Sequence, residues 1–241
     1  MHPGNLQRPG LHLAQAVALP ILLVLAYANS LNGAFQFDDF NVIVDQTAVH
    51  SLEGWLADLG QGIRPLLKLS YMLNWISGWG APGFHAVNLL IHGLTVWLVY
   101  RLSQEFLAAQ DLLQGLPQAP WMCAALFAVH PANTEAVTYI CGRSTALMAL
   151  LYLAGLLAYA TRSDGQDRWR TRLLVPVYFV MSVAVKESAV TFPLALVLWD
   201  LACGRSWITA WRRSRSTWLT LSLVAAFMLW TDAYRTSIGR S

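Results

Sequence analysis

Charge is the first thing this sequence lacks. Asp, Glu, Lys and Arg make up only 12% of its 241 residues, about half the share usual in a soluble domain. Too little polar surface remains to face water on all sides, which excludes a soluble globular fold. Lysine is nearly missing, with Lys68 and Lys186 standing against fourteen arginines. That bias, with abundant Ala and Leu, is the composition expected of a GC-rich bacterial genome. Cysteine is scarce as well. Cys123, Cys141 and Cys203 are too few and too scattered for a disulfide framework or a thiolate metal site, and read as small apolar packing residues. There is no Gly-rich phosphate loop, dinucleotide fingerprint or HExxH pair, and no internal repeat or low-complexity tract. His85 and His92 share a helical face seven residues apart, but no other ligand accompanies them. No metal and no cofactor is therefore expected.

Apolar runs are what the chain has in quantity, with 56% of residues hydrophobic. Runs at 11–30, 84–102, 119–132, 136–161, 173–186, 188–203 and 217–232 are candidate membrane spans. The first, Leu11 to Tyr27 after Arg8, also fits a signal peptide with Ala26-Tyr27-Ala28 as its cleavage site. Because more spans follow, it reads as an uncleaved first helix. Pro65 to Trp79 competes for an eighth place. It carries Lys68 and Asn74 among clustered Trp and Tyr, as helices lying in a membrane interface do. Charge bias supports that choice. With seven spans and the N-terminus inside, Arg162, Arg168, Arg170, Arg172, Arg205, Arg212, Arg213 and Arg215 all fall on inside loops, as the positive-inside rule asks. Topology thus accounts for the arginines, and nothing points to nucleic acid. Residues 31–83 form one long outer segment, in which Ser51 caps a short amphipathic helix through Leu52, Trp55, Leu56 and Leu59. The fold class is an all-α polytopic membrane protein of about seven transmembrane helices, one domain over 1–241, with interfacial helices in its first outer loop.

Ionisable groups near a membrane are costly and usually line a cavity or pair with each other. Here they collect on the outer side. Asp38 and Asp39 sit in the aromatic run Phe35-Gln36-Phe37-Asp38-Asp39-Phe40. His130 and Glu135 flank one outer turn, Arg143 follows it, Lys186 and Glu187 mark another, and Arg64 and His85 border the interfacial helix. Adjacent carboxylates resist joint ionisation, so one of the pair can serve as a general base. A solvated turn using Asp for local hydrogen bonds is the competing reading. His130-Pro131 with Thr134 and Glu135 equally fits a helix stop followed by a Thr cap. Arg143 and Lys186 read either as snorkelling cations or as an anion site in which a guanidinium forks a phosphate. Lys186 and Glu187 project about 100° apart on a helix and need separate partners.

In order along the chain, Asn29-Ser30-Leu31-Asn32-Gly33 leading to FDDF, Arg64-Pro65-Leu66 with Ser70-Tyr71, GFHAVNLLIH at 83–92, LFAVHPANTEAVTYICGRS at 126–144, and Lys186-Glu187-Ser188 resemble the membrane half of the transmembrane and TPR-containing O-mannosyltransferases and their bacterial relatives. The resemblance runs from about residue 25 to 205. It implies a GT-C glycosyltransferase fold and a lipid-linked sugar-phosphate donor. A sugar, mannose or another hexose, would pass from a polyprenyl phosphate to a hydroxyl acceptor, either protein Ser/Thr or a glycolipid, on the outer or lumenal face. Asp38 and Asp39 match the family's carboxylate motif. Arg64, His85, His130, Glu135, Arg143, Lys186 and Glu187 become candidates for the donor phosphate and substrate. Many animal members have a second histidine where this chain has Asn133, and an Asp in the segment read here as Gly142-Arg143-Ser144-Thr145, so those two roles do not carry over. The family's later membrane helices and TPR repeats are not matched in this sequence. A bacterial inner membrane with the active face outside is the expected location, an ER membrane the alternative. A noncatalytic membrane scaffold or partner subunit keeping this fold is the competing function. A transporter is disfavoured because paired broken helices near the midplane are lacking.

Overall fold

The computed structural model describes residues 9–60, 62–161 and 168–230, and these are helical with no strand among them. Ten α-helices follow in order: α1 (Pro9–Tyr27), α2 (Leu52–Asp58), α3 (Pro65–Ile76), α4 (Gly80–Ala109), α5 (Ala119–Ala128), α6 (Thr134–Thr138), α7 (Arg143–Ala160), α8 (Arg168–Val185), α9 (Phe192–Ala202) and α10 (Trp207–Trp230). Two of them, α4 and α7, are long and apolar enough to cross a membrane. Outward faces are also apolar: Leu25, Leu90, Leu126, Leu223 and Phe227 are each more than half exposed. Water penalises such faces and lipid does not, which supports reading the chain as a membrane protein.

The apolar runs became helices, but several ends differ from expectation. The run 136–161 is broken. α6 ends at Thr138, residues 139–142 turn, and α7 begins at Arg143. Gly142 explains the close turn, because a Cβ there would stand 2.3 Å from the Glu135 carbonyl oxygen. α10 starts ten residues before the expected 217 and takes in Arg212, Arg213 and Arg215, which a loop had been expected to carry. The helix continues because Arg213 turns inward, its Nε 3.2 Å from the buried carboxylate of Asp200. The expected end of that span, 231–232, lies outside the described residues, as does Arg162. α5 has ten residues, about 15 Å of helix, and does not cross a ~30 Å hydrocarbon layer on its own.

The segment 31–83 holds two of the expected helices. Ser51 Oγ accepts from the Gly54 amide at 3.1 Å and caps α2. α3 stops at Ile76, earlier than Trp79, and buries Leu67, Tyr71, Met72 and Asn74. Its Lys68 is paired with Asp58 at 2.6 Å, and Trp55 of α2 donates its indole N–H to the Pro65 carbonyl. The segment is thereby fastened to one end of the helix bundle. Ile43, Val49, Leu67, Tyr71, Phe84, Ile140 and Val185 form the apolar cluster there.

At the centre of this end lies Arg143, with none of its surface exposed. Its Nε donates to Asn88 Oδ1 at 2.7 Å, Nη1 to the Ser70 carbonyl at 3.1 Å, and Nη2 to Asn74 Oδ1 at 2.7 Å and the Phe84 carbonyl at 2.9 Å. Tyr71 and Phe84 each present a ring 5.1 Å from the guanidinium carbon. One side chain of α7 thus ties α3 and α4 together. Arg143→Ala should lower unfolding stability in detergent by about 3–5 kcal/mol, because it strands several buried oxygens. Arg143→Lys should lose less. A loss below about 1 kcal/mol for the alanine variant, the size of one ordinary hydrogen bond, would contradict this role.

Candidate functional site

The turn carrying the paired carboxylates begins after a 3-10 turn, Ala28–Asn32, that continues α1. Phe37 adopts φ +46°, a left-handed conformation that costs a bulky side chain roughly 1–3 kcal/mol. The kink sends the next two residues opposite ways. Asp39 turns inward and is 1% exposed. One of its carboxylate oxygens accepts from the Gln36 amide and the other from the Cys141 amide, both at 2.9 Å. Asp38 turns outward. Its backbone N–H donates to the Tyr139 hydroxyl at 3.0 Å, while its exposed carboxylate has no hydrogen-bond partner among the described residues. A π-helical turn over Phe40–Val44, wider than an α-turn and closed by the Asp45 N–H on the Phe40 carbonyl, follows directly, a geometry frequent at functional sites.

Asp38 faces a cleft of about 750 Å³ that Phe37, Pro131, Thr134, Glu135 and Tyr139 also line. A second cavity of about 340 Å³ adjoins it, sharing Gln36, Thr134, Thr138 and Tyr139, and reaches inward to Asp39 and His85. The sequence had set the Asp38-Asp39 pair, Glu135 and His85 in three separate segments, and the fold brings all four to these two adjoining hollows. His85 is 3% exposed. Glu135 is exposed in the first turn of α6.

Lys186 and Glu187 stand at the corner where α8 ends. Lys186 is extended backbone rather than helix, and the two side chains find different partners. Lys186 Nζ donates to the Thr145 hydroxyl at 2.7 Å. Glu187 receives Nε and Nη2 of Arg64 in a fork, at 2.8 Å for the shorter contact. Arg64 itself has φ +57°, so a second strained residue aims a site side chain. Burial opposes ionisation of Glu187, yet the Arg64 hydrogen bonds and charge, a backbone amide and the Lys186 charge outweigh it. The carboxyl is held below its ordinary range.

Two expectations change, those for Arg143 and for Thr134 as a cap, and His130 takes the structural one of its two readings in part. Arg143 was a candidate phosphate ligand, but its guanidinium is enclosed and its N–H groups are directed to Asn88, Ser70, Asn74 and Phe84, so no face is open to a solute. His130 is exposed, and its Nδ1 accepts from the Ala132 amide at 3.2 Å, a local cap on the turn Pro131–Asn133. Thr134 does not cap α6. It is the first helical residue, and Asn133 precedes it with its amide on the Phe127 carbonyl. The roles of Tyr139, Cys141 and Thr145 had not been anticipated. Their only sequence signal was membership of the run TYICGRST, which names residues but not which backbone amide meets which carboxylate. Among the described residues no group of three His, Cys, Asp or Glu is placed to hold a metal.

This chain is similar to proteins named protein O-mannosyl-transferases. It is 31% identical over 223 residues to Tmtc1 of Drosophila melanogaster, an alignment that covers 83% of this chain and 25% of that protein. It is 32% identical over 221 residues to Tmtc2 of the same fly, covering 83% of this chain and 23% of the relative. Against human TMTC4 it is 35% identical over 197 residues, 70% of this chain and 26% of that protein. The chain therefore spans about a quarter of the length of these relatives. No family model matches it, and no solved structure does.

The lowered pKa of Glu187 fixes a sign. Its stabilising contribution is complete above the ordinary carboxylate range and is lost as pH falls through the depressed value. Thermal unfolding followed from neutral to acid pH should show a steeper acid decline in the wild type than in Glu187→Gln. Identical slopes would mean the fork with Arg64 contributes nothing.

Proposed function

Over four-fifths of its length the chain belongs to the TMTC family of protein O-mannosyl-transferases, and from that premise we propose that it forms the catalytic core of a membrane glycosyltransferase using a polyprenyl-phosphate sugar. The apolar helices are taken as about seven spans of one membrane domain. The N-terminus is inside and the segment 31–83 lies on the outer face, in a bacterial inner membrane or its ER counterpart. The sugar is mannose or another hexose, and the acceptor is a hydroxyl such as protein Ser/Thr. The observation that carries the proposal is the division of labour between two adjacent aspartates. Asp39 is spent on two backbone amides, and Asp38 is left exposed and unpaired over a cleft.

In the reaction, the acceptor hydroxyl attacks the anomeric carbon while Asp38 takes its proton. The bond from that carbon to the phosphate oxygen breaks, its electron pair leaves on the phosphate, and a polyprenyl phosphate departs. A carboxylate suits the first task because a base within hydrogen-bond reach typically contributes 10²–10⁴-fold to such steps. Lys186 meets the second need. Its ammonium is bound only to a neutral hydroxyl among the described contacts, and a fixed cation stabilises charge as it builds on the leaving group. Arg64 and Glu187 position that corner, Glu135 adds a second carboxylate to the acceptor cleft, and Arg143 supports the site from below.

Asp38→Asn should lower sugar transfer from a polyprenyl-phosphate hexose by at least about 10²-fold with unfolding stability unchanged. Asp39→Asn should lower stability and transfer together, because one oxygen facing a backbone N–H is lost. Full transfer by Asp38→Asn would remove the base from the mechanism. Binding of a protein partner without any transfer by the wild type would favour a scaffold.

A further inference from the structure

The end of the bundle opposite the candidate site is pinned by a buried carboxylate. Asp200, near the end of α9, has none of its surface exposed. It accepts from the Tyr159 hydroxyl at 2.6 Å and from Arg205 Nη1 at 2.9 Å, and pairs with Arg213 Nε at 3.2 Å. Tyr159 follows Arg143 by sixteen positions on α7, about 24 Å of helix, which separates the two buried clusters. A buried carboxylate stripped of its cations is strongly destabilising. Arg213 is therefore held inward, and it fixes the rotation of α10 about its own axis.

That rotation decides where the neighbouring side chains point. At about 100° per residue, Ala210, Ser214 and Thr217 fall within about 100° of Arg213 on one side, and all three are buried. Trp207, Ile208, Trp211, Arg212 and Arg215 fall roughly 120–260° away, and all five are exposed. No Asp or Glu occurs between Leu201 and Trp230, and among the described residues neither Arg212 nor Arg215 has an acidic partner. The positive-inside rule asks only for cations near the ends of spans. It does not ask that two of them share one face with two indoles and an isoleucine. Indole rings settle at headgroup depth, and a guanidinium forks a phosphate. An acidic soluble partner would match the arginines and leave the apolar side chains in water. A neutral leaflet would match the indoles and leave two cations without a counter-charge.

We propose that this face of α10, made of Trp207, Ile208, Trp211, Arg212 and Arg215, is a docking surface for the headgroups of an anionic phospholipid leaflet. The Asp200–Arg213 pair holds the face toward that leaflet. The inference needs only a membrane protein, so it stands or falls apart from the transferase reading.

The test reads lipid at the face itself. The full chain, with its three native cysteines replaced and Ile208→Cys carrying a fluorophore, is placed in phosphatidylcholine vesicles. A trace of nitroxide-labelled phosphatidylglycerol, or of phosphatidylcholine with the same label, then serves as quencher. Phosphatidylglycerol should quench more strongly at about 0.01 M salt. The preference should collapse near 1 M, where the screening length falls from about 30 to about 3 Å. Each arginine at an anionic surface is worth about fivefold, so Arg212→Gln with Arg215→Gln should lower the preference at least about fivefold. Lysine at both positions should keep most of it. Arg101 of α4 lies toward the same end, since Gln110 just after α4 donates to the Ala202 carbonyl, and Arg101→Gln should leave the preference unchanged. Thermal unfolding of each variant is the folding control, and the salt series needs no variant of the arginines. Equal quenching by the two lipids at low salt, the result expected if a protein partner or neutral lipid covers the face, would overturn the proposal. An equal loss in Arg101→Gln, the mark of general charge at that end, would overturn it too.

Discussion

Among the described residues one fully enclosed cation, Arg143, organises the end of the bundle that carries the candidate site. No carboxylate pairs with Arg143 among the described residues. Its charge is held by two asparagine oxygens, two backbone carbonyls and two aromatic faces. A charge taken from water without such a set would be prohibitive, so α3 and α4 must close around α7 in one arrangement. The residues beside Arg143 inherit that rigidity. Tyr139 holds the backbone of Asp38, Cys141 holds the carboxylate of Asp39, and Thr145 holds the ammonium of Lys186. Two corners far apart in sequence are therefore fastened to the same seven residues, 139–145.

That arrangement also assigns tasks to groups that look alike. Two neighbouring aspartates have identical chemistry as letters. The left-handed Phe37 and the amides of Gln36 and Cys141 make one a bracket and leave the other unspent. The two cations of the expected anion site separate similarly, since Arg143 is consumed by the interior and Lys186 is not. Under the proposed transferase reading, the positioning groups are satisfied and the reactive groups are not, which is the preorganisation that electrostatic catalysis needs.

The helices were legible in the sequence because lipid-facing and buried runs are both apolar, and length alone marks them. Their ends were not. Gly142 breaks one run through a close approach that no periodicity encodes, and Arg213 extends another by pairing with Asp200 across helices. Ser51 was legible as a cap because capping is local, whereas Thr134 failed as one because Asn133 reaches back to Phe127. The candidate residues were legible only as polar groups interrupting apolar runs. What each does depends on long-range partners, such as Asn88 for Arg143 or Arg64 for Glu187, and such partners are invisible to spacing.

The account depends on the FDDF turn and the Lys186 corner sharing one end of the bundle. Single cysteines at Asp38 and Ser188, each placed in a chain whose three native cysteines are replaced, can be labelled with a membrane-impermeant thiol reagent in sealed vesicles of known orientation. Both positions should label from the outer side and neither from the inner. Labelling of the two from opposite sides would contradict the shared pocket and the mechanism built on it.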